Sequence, residues 1–171
     1  QASIILIGLS WMVQQSNLDG AVQKKDVLSL MRHFADGIIM MQFRSKGDKQ
    51  DGAFLSWENL WHAYANIQSY ALLTAGQTLK DTAIINSAMY EVNTFYPSIL
   101  SNGRLDHFSV RVKDGKAESY DAVTFPQIAY GVRPMVWAAL KAYLMTGDTQ
   151  YLVQAKELAS WFSGNNPAKT P

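Results

Sequence analysis

Two aspartates sit in chemically suggestive places, Asp51 and Asp121. Asp51 stands next to Gly52 and just before Trp57, while Asp121 follows Tyr120 and, with Glu118, brackets that tyrosine. Cleaving a glycosidic bond takes two carboxyl groups flanking it, one of them raised in pKa so that it can donate a proton. Carboxylates in loops beside aromatic rings are therefore the residues to weigh, because the C–H face of a pyranose packs on indole and phenol. Trp57 and Trp61 fall four apart in the stretch DGAFLSWENLWHAYANIQSYALLTAG, from Asp51 to Gly76. On a helix that spacing puts both indoles on one face, as a sugar platform or as core. His62 and Tyr64 follow, and Gly76 reads as a helix stop. Tyr130 and Arg133 open a later helix, where a guanidinium fork would hold a hydroxyl or a carboxylate. Each of these has a plainer use. Asp-Gly is a favoured turn pair, Asp121 can cap a helix, His62 can be a hydrogen-bonded structural histidine, and Arg133 can serve a salt bridge.

Composition narrows the classes. The chain has 171 residues, 48% hydrophobic and 17% charged, which is globular rather than disordered. A formal net charge of +1 without a basic run speaks against nucleic acid. Cysteine is absent, which removes thiol chemistry and leaves the compartment undecided. The apolar opening from Ser3 to Val13 is too short to span a bilayer, so no membrane partner is expected. His33, His62 and His107 form no metal-ligand spacing, and no phosphate-cradling glycine loop is present. No metal or cofactor is implied.

The elements that must position these residues are mostly helices. Apolar stripes predict helices over Ser3–Asn17 and Lys25–Arg44, over the tryptophan stretch closing at Gly76, and over Lys80–Ser98, the last ended by Pro97 and Asn102-Gly103. Two more run from Ile128 to Gly147, with Pro134 in the first turn, and from Tyr151 to Gly164-Asn165-Asn166-Pro167. Asn17–Gly20 and Gly76–Asp81 read as tight joints between hairpin partners. Between Arg104 and Tyr120 the pattern alternates about Asp114-Gly115, a type I′ turn signal, and predicts an inserted β-hairpin. ALLTAGQT (Ala71–Thr78) and AYLMTGDT (Ala142–Thr149) form a weak internal repeat. Hairpins of this kind bury both faces only by stacking. The expected fold is all-α: stacked helical hairpins forming an α/α toroid, or part of one, in a single domain.

SWFSGNNPAKTP (Ser160–Pro171) resembles the helix end and G-[DN]-N-P turn late in the toroids of six-hairpin glycosidases, including family 9 cellulase-like enzymes. Gln127–Trp161 looks like their paired inner and outer helices, with the joint TGD at Thr146–Asp148, and DGAFLSWENLWHAYAN resembles their aromatic-rich hairpin starts. The resemblance implies a carbohydrate-active enzyme that hydrolyses glycosidic bonds by carboxylate acid/base catalysis. A full six-hairpin toroid takes about twelve helices of roughly 10–14 residues, and about six are read here. The family's aspartate motif lies upstream of the turn and its proton-donating glutamate downstream, and no Asp-Ala-Gly-Asp stretch occurs. The resemblance thus implies key carboxylates outside this segment, with the rest of the chain or a homo-oligomer completing the fold. Two alternatives stand beside it. One is a non-catalytic hairpin scaffold binding a glycan or protein, and the other is a polysaccharide lyase using Tyr130, His62 and Arg133.

Overall fold

The computed structural model describes residues 1–15, 23–56, 59–62, 66–102, 107–122 and 128–165. Among these the chain is mostly helical, with α1 (Ala2–Gln14), α2 (Lys24–Ile39), α3 (Gln68–Leu79), α4 (Thr82–Asn102), α5 (Ile128–Thr146) and α6 (Thr149–Ser160). An antiparallel three-stranded sheet is inserted, in the order β1 (Leu60–His62), β2 (His107–Lys113) and β3 (Lys116–Ala122). Each odd helix pairs with the even helix after it, and the hairpins stack through α1 on α3 and α3 on α5. The even helices touch each other much less, so the stack curves with α1, α3 and α5 on its concave side. α3 lies at the centre of that layer. Seven of its residues, Ser69 and Ala71 to Gly76, are buried, and small side chains there let four neighbours, α1, α2, α4 and α5, approach.

Sequence features account for most boundaries. Asp148 caps α6 by accepting from the Gln150 amide at 2.9 Å. Asp81 caps α4 through the Ala83 and Ile84 amides and also pairs with Arg32 of α2. The hydrogen bond from Arg32, then that from Ile84, holds its carboxyl below the usual carboxylate range. Gly147 and Gly164 take left-handed conformations just past α5 and past the 3-10 turn Trp161–Ser163. Asp114 and Gly115 both have positive φ, 49° and 73°, as a type I′ turn requires.

Several boundaries differ from expectation for tertiary reasons. α2 stops at Ile39, not Arg44, because the next residues pair with the segment before β1. The Phe43 amide donates to Ala53, Gly52 donates to Phe43, and Leu55 donates to Met41, each at 2.9 Å. The Gln42 side chain then clamps this loop to α4 by donating to the Gly52 and Ser87 carbonyls. The expected tryptophan helix is absent at Trp61, which lies on β1 opposite Val110. Trp57 and the joint Asn17–Gly20 lie outside the described residues. α3 continues through Gly76 to Leu79, and Lys80 in the left-handed region closes it. Gly76 instead permits close packing, since a Cβ there would sit 2.7 Å from Ile85 Cγ1 and 3.2 Å from the Asp81 carbonyl. The two copies of the internal repeat therefore use their glycines differently. Pro97 lies inside α4, which runs on to Asn102 because Phe95, Tyr96 and Ile99 are buried around it. Pro134 falls in the second turn of α5, not the first.

Both ends of the stack show apolar side chains to solvent. On α1, Ile4, Ile5, Trp11 and Met12 form one exposed stripe, and on α5 Leu144 is 77% exposed. Among the described residues no helix is long and apolar enough to cross a membrane.

Candidate functional site

A cleft of about 690 Å³ opens at one end of the concave layer. Its walls come from the start of α1, the outer half of α2, the first turn of α3, the first half of α5, and Leu55 and Ser56. α2 contributes His33 and Asp36, and Met40 caps its end, the three spaced three and four apart and so on one side. Phe34, Gly37 and Ile38 line the cleft beside them, Ile38 being the last of the buried stripe Val27, Met31, Ala35 and Ile38. α5 contributes Arg133 and Trp137, one turn apart. The indole is 40% exposed, is backed by Tyr70 at 6.0 Å between ring centroids, and has the Arg133 guanidinium carbon 5.3 Å from its own centroid. Gln68 opens α3, and its Oε1 is buried without a hydrogen-bond partner. Pro134 has no N–H, so the Tyr130 carbonyl lacks the donor an α-helix would give it at this wall.

The combination suits a polyhydroxylated ligand. The volume is within the usual range of small-molecule pockets, its lining is mainly apolar, and a few polar groups converge on it. An indole face supplies area, while Arg133, His33, Gln68 and Asp36 supply donors and acceptors. Asp36 is the one carboxylate among the described residues of this lining. Among the described residues, no three of His, Cys, Asp or Glu gather into a metal-ligand group.

Of the residues singled out from sequence, Arg133 lines this cleft. Asp51 does not. Its Oδ1 accepts from the Ser45 amide at 2.9 Å, and the Tyr90 hydroxyl is shared between its two oxygens at 3.2 and 3.0 Å. That hydrogen bond, followed by burial, raises the Tyr90 phenol above its ordinary pKa. Asp51 thus straps the 45–52 loop to α4, aided by the Thr94 hydroxyl on its carbonyl at 3.3 Å. Gly52, at φ 91°, passes so close to α4 that a Cβ would lie 2.2 Å from Thr94 Oγ1. Trp61 is 2% exposed and packs edge-on against Phe95 at 5.5 Å, so it is core and offers no sugar platform. His62 follows it on β1, in register with Ser109, and partial burial lowers its pKa. Tyr120 and Asp121 lie by their backbone on β3, and Tyr130 in the first turn of α5. Their side chains, and all of Trp57, lie outside the described set. Glu118 lines a separate cleft of about 350 Å³ between β3 and the loop at 47–50.

Sequence reasoning missed His33, Asp36, Gln68 and Trp137. A signal existed for three of them: Trp137 stands four residues after Arg133, and His33 and Asp36 share a polar face of an otherwise apolar-striped helix.

A second polar centre is fully enclosed. Glu91 of α4 accepts from the Phe54 amide at 3.2 Å and from the Ser69 hydroxyl at 2.6 Å, with Tyr96 beside it. Burial pushes its pKa to about 7 against those hydrogen bonds, which favour the charged form. It ties α4 to α3 and to the chain entering β1, away from the cleft.

No protein-family model matches the chain, and no curated protein matches its sequence.

Proposed function

We propose that this chain belongs to a carbohydrate-active enzyme of the hairpin-toroid kind, which draws an oligosaccharide into the cleft at the mouth of its concave layer and hydrolyses a glycosidic bond. The observation that carries this is the convergence of an exposed indole, a guanidinium, an imidazole and a carboxylate on one cleft, formed by α2, α3 and α5. Trp137 stacks the sugar, Arg133 and Gln68 engage its oxygens, and Asp36 is one acid/base carboxylate. Asp121, in the second-last position of β3, is the proposed partner carboxylate. The apolar outer faces of α1 and α5 are where further hairpins, from more chain or a second copy, close the ring. Trp137→Ala is expected to raise the Kd of a bound oligosaccharide about tenfold, roughly 1.4 kcal/mol, in calorimetric titrations against a neutral glycan panel. An unchanged Kd removes Trp137 as the platform, and no binding by the wild type to any glycan removes the proposal.

One observation favours a second reading, a glycan-binding scaffold without turnover: a single carboxylate, Asp36, lines the cleft among the described residues. Binding without release of reducing ends would select it.

A further inference from the structure

Building on the saccharide reading of this cleft, we infer that the sugar it selects bears a carboxylate, as a uronic acid does, and that Arg133 is the residue that selects it. The charge balance of the cleft is the starting point. Among the described residues Arg133 has neither an ion-pair nor a hydrogen-bond partner, whereas Arg32 is paired with Asp81. What holds Arg133 is the indole of Trp137. A ring face orients a guanidinium and offsets part of its charge, but it accepts no in-plane hydrogen bonds. The planar fork therefore keeps its donors for an acceptor brought in by a ligand, and a carboxylate matches two of them at once.

The second element is the spacing. Arg133 and Trp137 are one helical turn apart on the same wall, about 5–6 Å between their Cβ atoms. The guanidinium carbon lies 5.3 Å from the indole centroid, so a pyranose packed on the exposed part of the indole brings a carboxylate at C6 beside the fork. Arg133 is exposed, so such a contact is screened by salt and weakens as ionic strength rises. Gln68, on the neighbouring wall at the start of α3, has a buried and unpartnered Oε1 that serves a ring hydroxyl once its side chain turns into the cleft.

The test uses trimers of galacturonic, glucuronic and mannuronic acid, each paired with its methyl ester, which keeps the ring and removes the charge. Calorimetric titration of the wild type is expected to show at least one acid trimer bound about tenfold more tightly than its ester, with the difference shrinking as salt rises. Arg133→Gln is expected to abolish the acid-over-ester preference, because it weakens the acid far more than it weakens the ester. Equal affinity for every acid and its ester in the wild type overturns the inference and leaves the saccharide reading standing. An acid preference that survives Arg133→Gln overturns the assignment to Arg133. Failure of acids, esters and neutral oligosaccharides alike overturns the saccharide reading itself.

Discussion

Asp36→Asn is expected to lower kcat for release of reducing ends by about 100- to 10,000-fold, the range over which one positioned acid or base acts. KM is expected to change little, because the amide keeps the shape and one acceptor of the carboxylate. The side chain is exposed on α2 and makes no contact the fold depends on, so thermal stability should stay close to that of the wild type. Asp51→Asn provides the contrast. It weakens the strap to Ser45 and Tyr90, and its effect should appear in stability before it appears in kcat. A kcat for Asp36→Asn within twofold of the wild type would remove Asp36 from the chemistry.

Glu91→Gln is expected to abolish most of the pH dependence of stability between about pH 4.5 and 7. Glu91 is fully buried, and its folded pKa of about 7 lies above its ordinary value of 4.5. Across that window the folded chain keeps a proton that the unfolded chain releases. Stability is therefore greatest below 4.5, falls as pH rises, and is fully reduced above 7. At ~1.4 kcal/mol per pH unit the loss amounts to about 3 kcal/mol. Glutamine reproduces the protonated state. Its carbonyl accepts from the Phe54 amide, and its NH2 donates to the Ser69 oxygen, freeing that hydroxyl to donate to the Ala88 carbonyl 3.2 Å away. Urea midpoints at pH 5 and pH 8 should diverge for the wild type and nearly coincide for Glu91→Gln. Equal slopes in the two proteins would contradict this assignment.

What could be read from the chain follows from which forces act locally. α5 and α6 are marked by stripes at the 3.6-residue period and by Gly147 and Gly164 just beyond them, and the turn at Asp114-Gly115 is set by the two residues that occupy it. Trp57 and Trp61 have helical spacing, yet Trp61 is drawn onto β1 by pairing with Val110, 49 positions further along, and by Phe95. No window around Trp61 contains either partner. Gly76 and Gly147 look alike in sequence because one needs close approach and the other positive φ, and both demands select glycine. The cleft is legible only in part. Arg133 and Trp137 declare each other at four residues' spacing, whereas their meeting with His33, Asp36 and Gln68 depends on how three hairpins stack.

The most direct test of the central claim is to follow the nitrogen-bound protons of the isotopically labelled protein by NMR as an oligosaccharide is added. The account predicts shifts at the Trp137 indole N–H, the Gln68 side-chain amide and the backbone amides from His33 to Met40. The Trp61 indole, buried against Phe95, should stay in place as an internal control. Shifts confined to the face formed by the 47–50 loop and β3, with Trp137 and Gln68 unmoved, would put the ligand in the smaller cleft and contradict the account.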